Sequence, residues 1–215
     1  MAELDKVTQA ILKSIDAAGF KQEGAFHLRH NGAALCHGDS EHIKIVKKQD
    51  KPGIDIYIDG DTEGEEVHNP VVLDAKGFTD KEYNDFHVAE GGNVGIIAGC
   101  GIHNDGHADS QHDGVHSFCV GKGANVTYRE NHYGEGDGSG ARILNPVTKI
   151  TLDEGSIFTL DTSQIKGVDS TKRETPVAMG KNTKLFVVEK MMTHGDKDEK
   201  SKMEHRITGA GSSEQ

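Results

Sequence analysis

Glu90-Gly91-Gly92-Asn93-Val94-Gly95-Ile96-Ile97 is the first of four turn-then-strand units in this chain. The others are Gly121-Lys122-Gly123-Ala124-Asn125-Val126-Thr127-Tyr128, Asp153-Glu154-Gly155-Ser156-Ile157-Phe158-Thr159-Leu160 and Gly180-Lys181-Asn182-Thr183-Lys184-Leu185-Phe186-Val187. With Val94, Val126, Ile157 and Leu185 taken as equivalent, the steps are 32, 31 and 28 residues. A short β-like run precedes each turn: Phe86-His87-Val88, His116-Ser117-Phe118-Cys119-Val120, Lys149-Ile150-Thr151-Leu152 and Pro176-Val177-Ala178-Met179. Strand, glycine turn, strand and loop, repeated about every 30 residues, is the unit of a parallel β-helix, because no single coil can bury its own apolar face. An antiparallel sandwich with hairpins of similar length is the competing arrangement.

Outward from this core, Val7, Ile11, Leu12 and Ile15 fall at helical spacing and predict an N-terminal helix with its C-cap at Gly19. Between Gly24 and Asp80 the runs Ile43-Lys44-Ile45-Val46, Ile54-Asp55-Ile56-Tyr57-Ile58 and Val71-Val72-Leu73 read as short strands. The expected organisation is residues 1–84 as a helix with short strands and residues 85–215 as the β-helix core. Projecting the last step beyond Leu185 reaches Ser213, where a fifth unit starts close to the final residue. A coil interrupted there would expose an open edge, so the chain is expected to be C-terminally truncated or covered by a partner.

Composition narrows the function. The 215 residues include 27 Gly, 4 Pro and no Trp, which favours tight turns between short strands. A formal charge of −11 repels phosphate backbones and anionic lipid surfaces, which disfavours nucleic-acid and membrane partners. The opening residues lack a basic-then-apolar leader and no apolar run is long enough to span a bilayer, so a cytoplasmic location is expected.

Thirteen His and three Cys are the chemically distinctive content. Cys100 and Cys119 bracket four His and three Asp, a composition suited to zinc, copper or iron, although the spacing fits no zinc-finger template. A polar loop joining two coils is the competing reading of that stretch. With one coil per repeat, the register puts Cys100 beside His132, His103 beside Glu135, and His87 beside Cys119, each about 4.8 Å apart across neighbouring strands. The same offset continues from Glu135 to Lys166 and His194. Cys36, with no ligand set near it in sequence, reads as a small buried hydrophobe. Gly134-Glu135-Gly136-Asp137-Gly138-Ser139-Gly140 lacks the Lys-Ser/Thr of a phosphate-binding loop, and neither a G-x-S-x-G elbow nor an HExxH helix is present.

Several strings resemble the SufB/SufD family in its short archaeal and anaerobe form. They are Gly99-Cys100-Gly101-Ile102-His103-Asn104-Asp105-Gly106-His107, Asp109-Ser110-Gln111-His112-Asp113-Gly114-Val115-His116, His132-Tyr133-Gly134-Glu135-Gly136, Arg142-Ile143-Leu144-Asn145-Pro146, Gln164-Ile165-Lys166-Gly167-Val168-Asp169-Ser170-Thr171-Lys172-Arg173 and Thr193-His194-Gly195-Asp196. The resemblance implies a right-handed parallel β-helix that acts as a scaffold for assembling iron–sulfur clusters rather than as an enzyme. It also implies a SufC-like ABC ATPase, a second SufB/SufD-type protomer and a sulfur-delivering cysteine desulfurase system as partners. The ATPase-docking helical region that follows the β-helix in that family has no counterpart here. On this reading Cys100 is the thiolate ligand or sulfur acceptor, His103 and His132 support it as metal ligands, and Cys119 is a second cofactor-binding candidate, with a transient iron–sulfur cluster or iron as the bound group. The alternatives are a metal-dependent enzyme built on the His-rich stretch and a pure interaction module.

Overall fold

The computed structural model describes residues 4–15, 24–192, 198–207 and 213–214. One helix, α1 (Lys6–Ser14), precedes sixteen strands. In chain order they are β1 (Ala25–His30), β2 (Ala33–Gly38), β3 (Ile43–Lys47), β4 (Gly53–Ile58), β5 (Glu63–Leu73), β6 (Thr79–Val88), β7 (Asn93–His103) and β8 (Ser110–Val120), then β9 (Asn125–Glu135), β10 (Arg142–Leu144), β11 (Val147–Leu152), β12 (Ile157–Lys166), β13 (Ser170–Met179), β14 (Lys184–Met191), β15 (Asp198–Ile207) and β16 (Ser213–Glu214).

From β5 onward the chain winds as a parallel β-solenoid, each coil giving one strand to each of two facing sheets. One sheet runs β16-β14-β12-β9-β7-β5-β1-β2 and the other β10-β13-β11-β8-β6-β4-β3, with β15 added beside β13. The parallel pairings of β5 with β7 and β6 with β8 carry the solenoid across the residue 84/85 boundary drawn from sequence. At the N-terminal end β1–β2 and β3–β4 are antiparallel hairpins.

The pairing of Val94 with Val126 matches the sequence register, but Val126 pairs with Phe158 and Phe158 with Leu185. The observed steps are therefore 32, 32 and 27 residues, and the Ile157 equivalence is one residue out of phase. A slip of one residue moves a side chain to the opposite face, and Ile157 is half-buried where Phe158 is fully enclosed. In the fifth unit, likewise, Leu185 pairs with Glu214 rather than Ser213.

The two edges of the solenoid differ. The turns entering the first sheet, residues 59–62, 89–92, 121–124, 153–156 and 180–183, are all four residues long. A left-handed residue sits at the same place in the last four: Gly91, Gly123, Gly155 and Asn182, with φ between 57° and 81°. Glycine takes this conformation without a Cβ penalty, which explains its recurrence there. The opposite edge uses the loops 104–109, 136–141 and 167–169, preceded by 74–78. The first two of these also stack: Asp137 N donates to Asp105 Oδ1 (3.0 Å) and Ala141 N to Asp109 Oδ1 (2.8 Å).

Helix α1 covers the outer face of the first sheet. Asp5 caps it by accepting from Thr8 N at 2.9 Å, and Ile11, Leu12 and Ile15 pack with Leu28, Val72 and Tyr133. Its C-cap is Ile15, so the cap expected at Gly19 is not used; Gly19 itself lies outside the described residues. Gly101 makes the close approach possible, because a Cβ there would stand 2.0 Å from Ile11 Cγ2. No helix among the described residues is long and apolar enough to cross a membrane.

Between the sheets lies a core that changes character along the strands. Near the four-residue turns it is apolar, with Phe86 stacked on Phe118 at 4.5 Å and Phe118 edge-on to Phe158 at 5.1 Å. Toward the other edge the inward positions become polar.

Candidate functional site

Strict alternation builds this polar half. On β6 the inward residues run Asp80, Glu82, Asn84, Phe86, Val88, and on β8 they run Ser110, His112, Gly114, His116, Phe118, Val120. On β7 and β9, Ala98 and Cys100 lie beside Glu130 and His132. Strands place every second residue on one face, so each enters the interior with no special backbone feature.

Buried charges are held in pairs. Arg29 donates to both Asp80 oxygens at 2.9 and 2.8 Å, and its Nε lies 3.2 Å from Glu82 Oε2. Arg173 Nη1 donates to Glu130 Oε2 at 2.8 Å, and its Nε lies 3.1 Å from Glu189 Oε1. Tyr128 donates its hydroxyl proton to Glu130 Oε1 at 2.9 Å. Burial alone would raise both acids; instead Arg29 and His112 hold Asp80 below the usual carboxylate range, and Arg173 with His132 does the same for Glu130. Burial dominates elsewhere, lowering His116 and His132 toward the neutral imidazole and pushing the Tyr128 phenol and the Cys100 thiol well up, the thiol also feeling Asp80, Glu82 and Glu130.

At the centre is a void of about 10 Å³, lined among others by Cys100, His112, Gly114, His116, Glu130 and His132. That is room for one particle the size of a water molecule. His132 Nδ1 is buried with no hydrogen-bond partner.

The residues singled out from sequence separate into different environments. Cys100 and His132 pair across β7 and β9 as the register required, and both face the void. His103 does pair with Glu135, but three residues beyond Cys100 is an odd step, so it faces outward. There its Nδ1 meets Glu135 at 3.2 Å and its Nε2 meets Asp105 at 2.8 Å, and these acids raise its pKa against the opposing effect of burial. Cys119 is exposed on the outer face of β8 beside His87, in an open groove of about 1040 Å³. Cys100, His103 and Cys119 therefore do not share one ligand set. At the offset of His103 and Glu135, β12 aligns Lys166 with Tyr133 rather than with Glu135, and His194 lies outside the described residues. Cys36 is half-buried against the α1 cluster, and burial raises its thiol. The stretch weighed as a polar loop is a loop only over residues 104–109; His112 and His116 belong to a strand and face inward. From motif alone these two count within the His-rich stretch but carry no separate role, although the alternation of Ser110, His112, Gly114, His116, Phe118 and Val120 announces them as inward; Glu130 and Arg173 carry no role in the site on that reading.

Comparison with protein-family models, curated proteins and solved structures finds no match for this chain.

Proposed function

We propose that the chain is a scaffold component of SUF-type iron–sulfur cluster assembly, working with a SufC-like ATPase, a second SufB/SufD-type protomer and a cysteine desulfurase system. The observation that carries this reading is the pairing of Cys100 with His132 on consecutive coils, both turned into the solenoid interior. A soft thiol beside an imidazole is a donor pair suited to iron and sulfur. Capacity sets the role. A void of about 10 Å³ accommodates one atom and not an assembled cluster, which supports Cys100 as holder of a single sulfur or iron atom delivered toward assembly elsewhere. Binding rather than turnover also suits a cavity whose Cys100, His112, His116 and His132 are each at most 4 % exposed.

The test is anaerobic incubation of the full chain with a SUF-type cysteine desulfurase and cysteine, followed by peptide mass analysis. The expected result is one added sulfur on the peptide bearing Cys100, lost in Cys100→Ser, together with co-purification of a SufC-like ATPase. Sulfur confined to Cys119, with no ATPase retained, would sink the reading.

A further inference from the structure

Three imidazoles line the void, and each has a polar neighbour near one of its nitrogens. Tyr128 has a single proton and gives it to Glu130, so toward His116 Nδ1, 3.4 Å away, its oxygen can only accept. His116 therefore carries hydrogen on Nδ1 and a lone pair on Nε2. His112 Nδ1 lies 3.3 Å from Asp80 Oδ2, off the hydrogen-bonding line but facing a carboxylate, which again favours hydrogen on Nδ1. His132 Nε2 lies 3.6 Å from Glu130 Oε1, leaving the buried Nδ1 without a partner. Carboxylates and other acceptors behind imidazoles are the arrangement that fixes tautomers at metal centres.

Gly114 marks where two of the rings, His112 and His116, approach each other. A Cβ built there would lie 2.9 Å from His116 Nε2 and 3.2 Å from His112 Nε2. Charge points the same way. Asp80, Glu82 and Glu130 stand buried against Arg29 and Arg173, with Glu189 also on Arg173, so the acids outnumber the guanidiniums and a cation is favoured there.

We propose that this void is a mononuclear site for a divalent transition metal, held by His112 Nε2, His116 Nε2 and His132 Nδ1 with the Cys100 thiolate as fourth donor. Three imidazoles and a thiolate suit Zn²⁺, Co²⁺ or Fe²⁺ in tetrahedral geometry. The thiol proton leaves on binding, as it does for any metal-bound cysteine, which resolves the position of a sulfhydryl otherwise kept neutral by burial. Among the described residues the buried donor set already within 4.8 Å is Asp80, Glu82 and His112. The Arg29 guanidinium fills that cluster, so it serves to orient His112. No three of the four proposed donors lie within 4.8 Å of one another, so binding at the void requires the rings to move together over Gly114. The inference shares the Cys100–His132 pair and the void with the scaffold reading but needs none of that reading's partners.

The test is titration of the chelator-treated full chain with Co²⁺ under anaerobic conditions. The expected result is one ion per chain, tetrahedral visible bands, a near-ultraviolet sulfur-to-cobalt band and displacement by Zn²⁺. Cys100→Ser keeps the visible bands and loses the near-ultraviolet one. Gly114→Ala, which fills the gap between ligands, abolishes binding, and Tyr128→Phe, which releases the His116 tautomer at nearly constant volume, weakens it about 10–100-fold. Replacing exposed His107 by Gln changes nothing. Circular dichroism identifies any variant that fails to fold, and Tyr128→Phe then carries the test. No stoichiometric Co²⁺ in folded wild type overturns the proposal. So does binding indifferent to Cys100→Ser, Gly114→Ala and Tyr128→Phe, or a His112 ring that NMR shows as a stable imidazolium balancing the charge instead.

Discussion

Replacing Arg173 by Met is expected to be among the most costly single changes in the polar half of the core. The guanidinium is 6 % exposed and donates to Glu130 at 2.8 Å, so its loss leaves a carboxylate sealed between two sheets with no cation. Breaking a buried pair from one side typically costs about 3–5 kcal/mol. At about 2–4 °C per kcal/mol for a chain of this size, Tm should fall by roughly 6–20 °C in metal-free protein. The pH dependence separates this mechanism from simple loss of packing. In wild type Glu130 is depressed below its ordinary 4.5, so its contribution is present above that value and is lost only as pH falls through the lower folded value. Between pH 7.5 and 5.5 it is constant. In Arg173→Met burial acts unopposed by that charge, the folded pKa rises above 4.5, and the penalty shrinks as acidification neutralises the acid. Thermal unfolding of wild type, Arg173→Met, Glu130→Gln and the double variant at both pH values supplies the cycle. The double variant should recover part of the loss. A Tm change of under 2 °C, or additive single effects with no pH dependence, would refute the reasoning.

Other outcomes follow from single contacts. Gly101→Ala drives a methyl into Ile11 and should release α1 at a cost of about 1–3 kcal/mol, seen as faster proteolysis of the N-terminal residues with β-sheet signal retained. Thiol-reactive dye should modify exposed Cys119 at once, half-buried Cys36 more slowly and buried Cys100 slowest of the three; labelling of Cys100 as fast as that of Cys119 in metal-free protein would contradict its burial. His103 should titrate above its ordinary 6.5 by NMR, with a lower midpoint in Asp105→Asn; the stability it lends is full below 6.5 and disappears as pH rises through the folded value. Phe118→Ala removes the middle ring of the aromatic column and should cost about 3–5 kcal/mol by denaturant unfolding.

The solenoid was legible because its turns repeat chemically. Alignment on apolar anchors failed at Ile157 because Ile157 and Phe158 are adjacent and both apolar, so hydrophobicity cannot choose the inward one. Alignment on the left-handed residue succeeds: Gly91, Gly123, Gly155 and Asn182 each precede the inward anchor by three positions. Backbone conformation is fixed there by sterics, whereas an apolar side chain tolerates partial exposure. Within the site, the pairing of Cys100 with His132 follows from the repeat, while grouping His103 with them ignores strand parity. His112 and His116 were harder, since they come from the opposite sheet and nothing in one strand's sequence names its partner across the core. The ion pairs of Arg29 and Arg173 connect residues 51 and 43 positions apart and have no local signature.

The unequal edges bear on how such a chain can change its length. Five successive turns on one side keep four residues each, while the loops opposite, 74–78, 104–109, 136–141 and 167–169, vary between three and six residues. Only the second edge can absorb an insertion without shifting every inward side chain by a position. Lineages descended from this sequence should vary in length there and nowhere else along the coils, and a peptide grafted between residues 136 and 141 should leave the interior undisturbed. The solenoid thus keeps one margin fixed as a ruler and leaves the other open to innovation.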